Sequence, residues 1–280
     1  MREIQTSEII KCVAQMCLEA NFDLGEDVIQ ALADAIEHEV LPLPKYILQQ
    51  MIDNAKLASE ERVAMCQDCG VAVFFVELGQ DVHIVGGDIS EAINEGVRTG
   101  YFHGFLRKSM VASPLNRVNT EDNTPAVIHF QIVPGDKLRI TFAPKGAGSE
   151  NMSALKMLKP ADGVEGIKQF VLKCVREAGP NPCPPITVGV GIGGTFEQSA
   201  ILAKKALMRP IGERNPDADV SSLEQEILQE INALGIGPAG LGGETTAFAV
   251  NVETYPCHIG SLPVAVNINC HAARHKEVVL

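Results

Sequence analysis

Residues 186–208 read ITVGVGIGGTFEQSAILAKKALM, and this stretch passes from an apolar run through two glycines into a helical pattern. The first seven residues carry no charge and are mostly β-branched, which is typical of a strand buried within a sheet. After Gly193 and Gly194, apolar residues recur at helical spacing. The stretch therefore predicts a strand at 186–192 followed by a helix at 195–208, the order that builds α/β proteins.

The rest of the chain alternates between the same two kinds of segment. Residues 1–62 are predicted to be helical, with a break at Leu41-Pro42-Leu43-Pro44, because proline cannot continue the hydrogen-bond ladder. Beyond them, strands are expected at 71–78, 82–85, 126–133, 137–143, 245–253 and 263–269, and helices at 88–106, 163–178 and 222–234. These segments predict an α/β fold of the mixed α+β kind. We expect a single compact domain, 1–280, with a helical N-terminal subregion (1–62) and mixed sheets flanked by helices (63–280).

Local signals add three expectations about how these segments begin and connect. The Pro134-Gly135-Asp136 turn predicts that the strands on either side of it form a hairpin. Asp162 is a good N-cap residue for the helix at 163–178. Ser221-x-x-Glu224 has the spacing of a capping box for the helix at 222–234.

Composition excludes several classes of function. The chain has 280 residues, of which 46% are hydrophobic and 21% charged, and its formal net charge is -12. Nucleic acids and anionic membranes are recognised by clustered cations, so an acidic chain without tryptophan argues against both. The apolar run Val71–Val76 is too short to span a bilayer, and the N-terminus lacks a secretory segment. A soluble, cytoplasmic protein that binds neither nucleic acid nor membrane is predicted.

Eight cysteines in such a chain argue for packing, redox or metal-binding roles rather than a disulfide framework. Cys12, Cys17 and Cys174 lie in amphipathic helices, where a free cysteine usually packs in the core. Cys66 and Cys69 form a C-x-x-C pair, which alone could be half a zinc site, a redox pair or a coincidence. The remaining three lie next to predicted strands: Cys183, Cys257 and Cys270.

Two glycine-rich segments have the composition of anion-binding loops. Gly189–Gly194 matches G-x-G-x-x-G between a strand and a helix, but no second strand ends in an acidic residue about 20 positions later. A tight turn with amides that face an anionic ligand is the alternative to a dinucleotide site. Lys145–Ser149 reads KGAGS, which could present backbone amides and a cation to a carboxylate.

The order of four motifs along the chain points to a known family. The motifs are Cys66-Gln67-Asp68 with Gly70, then Lys145–Ser149, then Cys183-Pro184-Pro185 with Gly193-Gly194-Thr195, and finally His258 to His271. Together they resemble the iron–sulfur hydro-lyases of the class I fumarase family, and in particular the α subunit of the two-subunit form that includes L-tartrate dehydratase. The resemblance makes residues 63–280 the cluster-binding region.

The resemblance implies a [4Fe–4S] cluster held by three cysteines, and the matching positions are Cys66, Cys183 and Cys270. Three thiolates would leave one iron without a protein ligand, free to act as a Lewis acid on a hydroxy diacid. The implied activity is the reversible hydration of fumarate to malate, and the alternative is dehydration of L-tartrate or a related hydroxy diacid.

The same resemblance assigns roles to residues around the cluster. Asp68 is implied as a proton-transfer or orienting acid, and His258 as a catalytic histidine in contact with substrate. Positions implied to bind the dicarboxylate are Gln67, Arg107, Lys145, Gly146 and Arg274. The family motif has threonine where this chain has Cys69, and we expect that thiol to pack rather than to bind iron.

The resemblance also implies a partner chain. Enzymes of the family include a C-terminal domain that supplies the proposed base, whereas this chain ends soon after Cys270. We therefore expect a separate β subunit, an α2β2 assembly and activity only when both chains are present. A nucleotide-binding module using Gly189–Gly194, or a noncatalytic iron–sulfur or zinc scaffold, are the alternative hypotheses.

Overall fold

Helices and strands alternate along the whole chain, and the computed structural model describes all 280 residues. The helices are α1 (Thr6–Phe22), α2 (Glu26–His38), α3 (Pro42–Glu61), α4 (Ile89–His103), α5 (Ala147–Glu150), α6 (Gly163–Ala178), α7 (Phe196–Ala206) and α8 (Ala218–Asn232). The strands are β1 (Arg2–Gln5), β2 (Val71–Gly79), β3 (Val82–Val85), β4 (Val127–Val133), β5 (Leu138–Lys145), β6 (Ala154–Leu158), β7 (Ile186–Gly193), β8 (Ala247–Tyr255), β9 (Leu262–Asn269) and β10 (Lys276–Val279). The predicted α/β class is confirmed.

The contacts divide the chain into two units. The first unit contains Met1–Leu24, Asn54–Ala147 and Arg274–Leu280, and the second contains Gly25–Asp53 and Gly148–Ala273. The description of residues 1–280 as one domain, with subregions 1–62 and 63–280, stays a prediction. None of the helices combines the length and the apolar character needed to cross a membrane.

The main sheet of the first unit has the strand order β10-β5-β2-β4. The predicted hairpin of β4 with β5 is wrong, because β2 lies between them, parallel to β4 and antiparallel to β5. The sequence of β2, VAVFFVELG, explains its interior position, since Phe74 and Val76 are fully covered. β4 lies at the edge, where Phe130 and Ile132 remain exposed. A second, two-stranded sheet pairs β1 with β3 in parallel.

Helices α1 and α4 form the other half of the first unit's core. Ile9 and Val13 of α1 are buried, as are Ile93 and Val97 of α4. The two helices approach closely at Gly96, where a Cβ atom would lie 2.6 Å from the Cβ of Val13. Small residues at such crossings allow backbones to come together, so this contact requires glycine.

The sheet of the second unit has the order β6-β9-β7-β8, with β7 parallel to β8 and antiparallel to β9. One face of β7 contributes Val188 and Val190 to a core shared with α6 and α8. On the other face, Gly189 and Gly191 lie against α7, whose backbone occupies the space that a side chain would need. The predicted strand–turn–helix unit at 186–208 is therefore confirmed.

Two of the predicted helix starts differ in detail. Helix α8 begins at Ala218, because the Asp217 side chain accepts hydrogen bonds from the amides of Asp219 and Val220, so the Ser221 capping box is not used. The Asp162 side chain caps no amide of α6 and accepts from the amide of Lys159 instead. The pattern also missed three short strands with partly exposed residues: β1, β6 and β10.

The close contact between β7 and α7 predicts that Gly191→Ala destabilises the protein. The added Cβ would overlap the carbonyl oxygen of Ser199 and lie 2.6 Å from the amide nitrogen of Ala203. Overpacking of this kind costs about 1–3 kcal/mol, measured as the free energy of unfolding in urea. Gly260→Ala is the matched control, because its Cβ would meet only the exposed His258 ring at 3.3 Å. Equal stability of the two variants would contradict this account of the packing.

Candidate functional site

The first cysteine motif forms a loop, Cys66–Gly70, at one edge of the first unit's main sheet. We call it the cysteine loop. It leads directly into β2, and Val71 pairs with Lys145 at the end of the antiparallel strand β5. Gly70 has a φ of +75°, and a Cβ there would lie 2.6 Å from the Lys145 nitrogen. The strand register therefore places the cysteine loop against the start of the KGAGS segment, and only glycine fits at their closest approach.

Buried side chains hold the end of the cysteine loop through its carbonyl oxygens. The Tyr101 hydroxyl, fully buried in α4, donates to the carbonyl oxygen of Cys69 at 2.6 Å. Asn123 donates from Nδ2 to the carbonyl oxygen of Gly70 at 3.2 Å and accepts from the amide of Ser109 at 2.7 Å. Burial raises the pKa of Tyr101 well above its usual value, which keeps the hydroxyl protonated as a donor.

Asp68 connects the cysteine loop to the KGAGS segment. One carboxylate oxygen accepts from the amide of Gly70 at 2.9 Å, and the other accepts from the amide of Ala147 at 2.8 Å. The carbonyl oxygen of Asp68 accepts from Nη2 of the buried Arg274 at 2.9 Å. Since both carboxylate oxygens bind backbone amides, the arrangement favours the orienting role over proton transfer.

The side chains at the start of the loop are more accessible. Gln67 is exposed, and the Cys66 sulfur accepts from the amide of Asp68 at 3.4 Å. Cys69, in contrast, is only 1% exposed, and its sulfur accepts from the backbone amide of Arg107 at 3.2 Å. Burial raises the pKa of the Cys69 thiol, with the Arg107 amide and the Arg274 charge offsetting part of that effect. Cys69 therefore packs, as expected, and holds the segment that carries the exposed Arg107 beside the loop.

The second unit brings Cys183 and Cys270 to the same end of its sheet. Cys183 precedes β7 and Cys270 follows β9, and these strands are antiparallel, with Thr187 opposite Asn269. The amide of His271 donates to the carbonyl oxygen of Cys183 at 3.2 Å, which joins the two segments directly. Cys183 adopts a φ of 54°, which is uncommon for a residue with a side chain. Its thiol is exposed.

His258 lies at the opposite end of that sheet. It follows β8, which runs parallel to β7, and it lines a cavity of about 400 Å³ with Gly194 and Thr195. The length of β7, at roughly 3.3 Å per residue, separates this end from Cys183 and Cys270 by roughly 25 Å. Within the second unit, therefore, the structure does not bring His258 together with the two cysteines.

The G-x-G-x-x-G pattern has a packing role. Gly189 and Gly191 are inside β7, where a Cβ on Gly189 would lie 2.9 Å from the Leu207 side chain. In a dinucleotide-binding loop such glycines would instead surround a phosphate at the turn into the helix. The sheet is also mixed rather than parallel. These features argue against the nucleotide-binding hypothesis.

The cysteines differ in how well they suit a metal. All eight are free thiols, and burial raises the pKa of Cys17 and raises that of Cys174 to about 11, which opposes the thiolate form. Cys66, in the first unit, and Cys183 and Cys270, in the second, are at least partly exposed. Within either unit, no group of three or more His, Cys, Asp or Glu side chains is arranged to hold a metal ion.

Sequence reasoning missed the residues that hold the cysteine loop from a distance. Tyr101 lies in the helix predicted at 88–106, and Asn123 lies in none of the predicted helices or strands. Neither residue type signals a hydrogen bond to a carbonyl 32 or 53 positions away. The one available signal is that a tyrosine on the buried face of a helix needs a partner for its hydroxyl.

Known proteins match this chain along nearly its whole length. Residues 10–279 match the family described as Fumerase, or fumarate hydratase, and the chain therefore belongs to that family. A putative L(+)-tartrate dehydratase subunit alpha of Methanocaldococcus jannaschii is 46% identical over 273 residues, which cover 95% of each chain. The L(+)-tartrate dehydratase subunit alpha of Escherichia coli O157:H7 is 32% identical over 278 residues, covering 98% of this chain and 91% of the relative.

The contacts of Asp68 predict that Asp68→Asn loosens the cysteine loop. An amide side chain offers one acceptor oxygen, so one of the Gly70 and Ala147 amides would face an NH2 group instead. We expect a loss of about 1–3 kcal/mol in the free energy of unfolding, measured by urea denaturation. Asp136→Asn, in an exposed turn, is the control and should change stability by less than about 0.5 kcal/mol. An Asp68→Asn variant as stable as the control would show that these two bonds contribute little.

Proposed function

We propose that this chain is the α subunit of an iron–sulfur hydro-lyase that catalyses the reversible hydration of fumarate to malate. The observation that carries the proposal is the cysteine loop, in which family-matching residues are held beside the KGAGS segment by hydrogen bonds from Tyr101, Arg274 and the Ala147 amide. Membership of the fumarate hydratase family supports the reaction class, and the description of that family is the reason for proposing fumarate as the substrate.

We propose that Cys66, Cys183 and Cys270 hold a [4Fe–4S] cluster. The donor set supports this assignment, because the three thiols lie at loop or strand-end positions and are not fully buried. The amide that points at the Cys66 sulfur suits a thiolate, since hydrogen bonds to sulfur are common around such clusters. A cluster with three cysteine ligands supplies an iron that acts as a Lewis acid towards the substrate oxygens.

The chain's own residues would bind and orient the dicarboxylate. Gln67 is exposed within the cysteine loop, and Arg107 is exposed in the segment bound to Cys69, so an amide and a guanidinium can hold carboxylate oxygens there. Lys145 and Gly146 follow at the end of β5, and the buried ammonium of Lys145 adds positive charge. Arg274 stays a predicted substrate ligand from the sequence.

Asp68 and His258 take different places in this proposal. Asp68 would act by orienting Cys66 and Gln67, because its carboxylate bridges the two segments that line the site. The catalytic role of His258 stays a prediction, and its place at the far end of the sheet from Cys183 does not support contact with a substrate bound beside that cysteine.

A partner chain would complete the site. The relatives from Methanocaldococcus jannaschii and Escherichia coli are both named as alpha subunits, which supports a β subunit for this chain. A base from that subunit would accept the proton that leaves next to a carboxylate, and its cations would stabilise the anion that forms. We propose an α2β2 assembly with the cluster close to the partner, located in the cytoplasm.

L-Tartrate is the second candidate substrate. The names of the two relatives favour it, since both are dehydratases of L(+)-tartrate or are putatively so. Tartrate carries one more hydroxyl group than malate, so discrimination requires a polar group that pairs with that hydroxyl or an apolar one that rejects it.

The cluster assignment predicts that Cys183→Ser loses iron. After anaerobic reconstitution with iron and sulfide, the wild-type chain should bind about four irons, as a cubane cluster requires. Serine is a poor ligand for this cluster, so the variant should retain less than about a quarter of that iron. Cys257→Ser is the matched control, because Cys257 is also an exposed thiol of the second unit. Unchanged iron in Cys183→Ser would refute the ligand assignment.

The proposed contribution of the β subunit to the site predicts that hydration requires both chains. The reconstituted chain should be inactive alone and active with its β subunit, measured as loss of the ultraviolet absorbance of fumarate. Parallel assays with fumarate and L-tartrate rank the substrates, and a higher kcat/KM for L-tartrate would replace fumarate in the proposal. Turnover of either substrate by this chain alone would contradict the need for a partner.

A further inference from the structure

Arg274 is a buried charge with an unusual set of partners. It is 4% exposed, yet its guanidinium donates to two uncharged acceptors, Oδ1 of Asn21 at 3.1 Å and the carbonyl oxygen of Asp68 at 2.9 Å. Its Nε atom has no hydrogen-bond partner. Buried guanidinium groups are usually paired with carboxylates, because moving a charge out of water is costly. These uncharged contacts therefore leave a positive charge inside the first unit, next to the cysteine loop.

We propose that Arg274 is a positioning residue, which anchors the cysteine loop and supplies positive charge beside it, rather than a ligand of the substrate. The anchoring part follows from the contacts within this chain. The charge part rests on the proposed function, because it concerns the iron–sulfur cluster that Cys66 would hold.

The anchor connects the cysteine loop to helix α1. Asn21 lies in the last turn of α1, is fully buried, and donates from Nδ2 to the carbonyl oxygen of Cys17 at 2.8 Å. Its Oδ1 is thereby directed at Nη1 of Arg274. The guanidinium then spans from α1 to Asp68, the residue whose carboxylate holds Gly70 and Ala147. The two terminal nitrogens of one guanidinium thus join the cysteine loop to α1.

The burial of Arg274 limits what it can touch. Both terminal nitrogens already bind protein oxygens, and little of the side chain reaches solvent. Arg107 has the opposite character, since its side chain is exposed and only its backbone amide is used by Cys69. Of the two arginines, Arg107 is therefore the one with a guanidinium that can hold a carboxylate.

The charge would act on the cluster that Cys66 would hold. Three thiolates around a [4Fe–4S] core would give the site net negative charge, which a guanidinium beside the cysteine loop would partly offset. Because both hydrogen-bond acceptors of Arg274 are uncharged, neither of them cancels its positive charge.

Hydrogen exchange in the full-length, cluster-free chain tests the anchor. In Arg274→Gln, the peptide that contains residues 66–70 should exchange about tenfold faster, the ratio expected when one charge-assisted hydrogen bond is lost. Arg274→Lys, with a single donor group, should also exchange faster. Arg107→Lys and Arg107→Gln are matched controls and should leave exchange in this peptide unchanged, because the backbone bond to Cys69 remains.

Iron retention tests the effect of the Arg274 charge separately from any effect of the substitution on folding. After reconstitution, Arg274→Lys should keep its iron and Arg274→Gln should lose most of it, when both have the same Tm. Rescue by lysine is the signature of charge, which a purely structural role would not give. If Arg274→Gln fails to fold, hydrogen exchange in Arg274→Lys still tests whether Arg274 anchors the loop. The dependence of iron retention on ionic strength in Arg274→Lys then tests the charge. Iron retention that does not change with salt concentration would refute the charge part of the proposal.

Two results would overturn the proposal. Unchanged exchange in both Arg274 variants, with KM for the dicarboxylate raised as in Arg107→Lys, would make Arg274 a substrate ligand. Equal iron retention in folded Arg274→Lys and Arg274→Gln would remove the charge part. If the wild-type chain binds no iron at all, the proposed function fails, but the exchange measurement still decides the anchor.

Discussion

The pairing of Val71 with Lys145, at the point where β2 begins and β5 ends, is the constraint on which the first unit's site depends. It forces the residues just before β2 to lie against those just after β5. Gly70 permits this approach, and Asp68 secures it through the Ala147 amide. The residues of two motifs, far apart in sequence, are therefore brought together by backbone pairing, which the Asp68 carboxylate reinforces.

In the second unit, strand pairing brings some of the candidate residues together and separates others. Because β7 and β9 are antiparallel, the residues before one and after the other meet, which is why Cys183 and Cys270 share an end of the sheet. The same pairing sends His258, which lies between β8 and β9, to the other end. The motif that contains both His258 and Cys270 thus includes the whole of β9, with one of these residues beyond each end of the strand.

Sequence reasoning predicted those parts of the fold that depend on local pattern. The boundaries of α6 and β7, and the assignment of Cys69 to packing, follow from periodicity and from the small size and apolar character of a thiol. The predicted β4–β5 hairpin was wrong because β2, which is more apolar than β4, takes the position next to β5. Long-range hydrogen bonds such as Tyr101 to Cys69 had no sequence signal, since a hydroxyl on a buried helix face can find many partners.

The distribution of charge reconciles an acidic chain with an anionic substrate. The net charge of -12 is carried mainly by exposed carboxylates, which water screens efficiently. Lys145 and Arg274 are buried beside the cysteine loop, where the lower dielectric strengthens their field. These two cations therefore add positive charge beside the cysteine loop within a chain that is acidic overall. An acidic surface and a cationic site are compatible because the two sets of charges lie in different dielectric surroundings. The same acidic surface would favour association with a more basic partner.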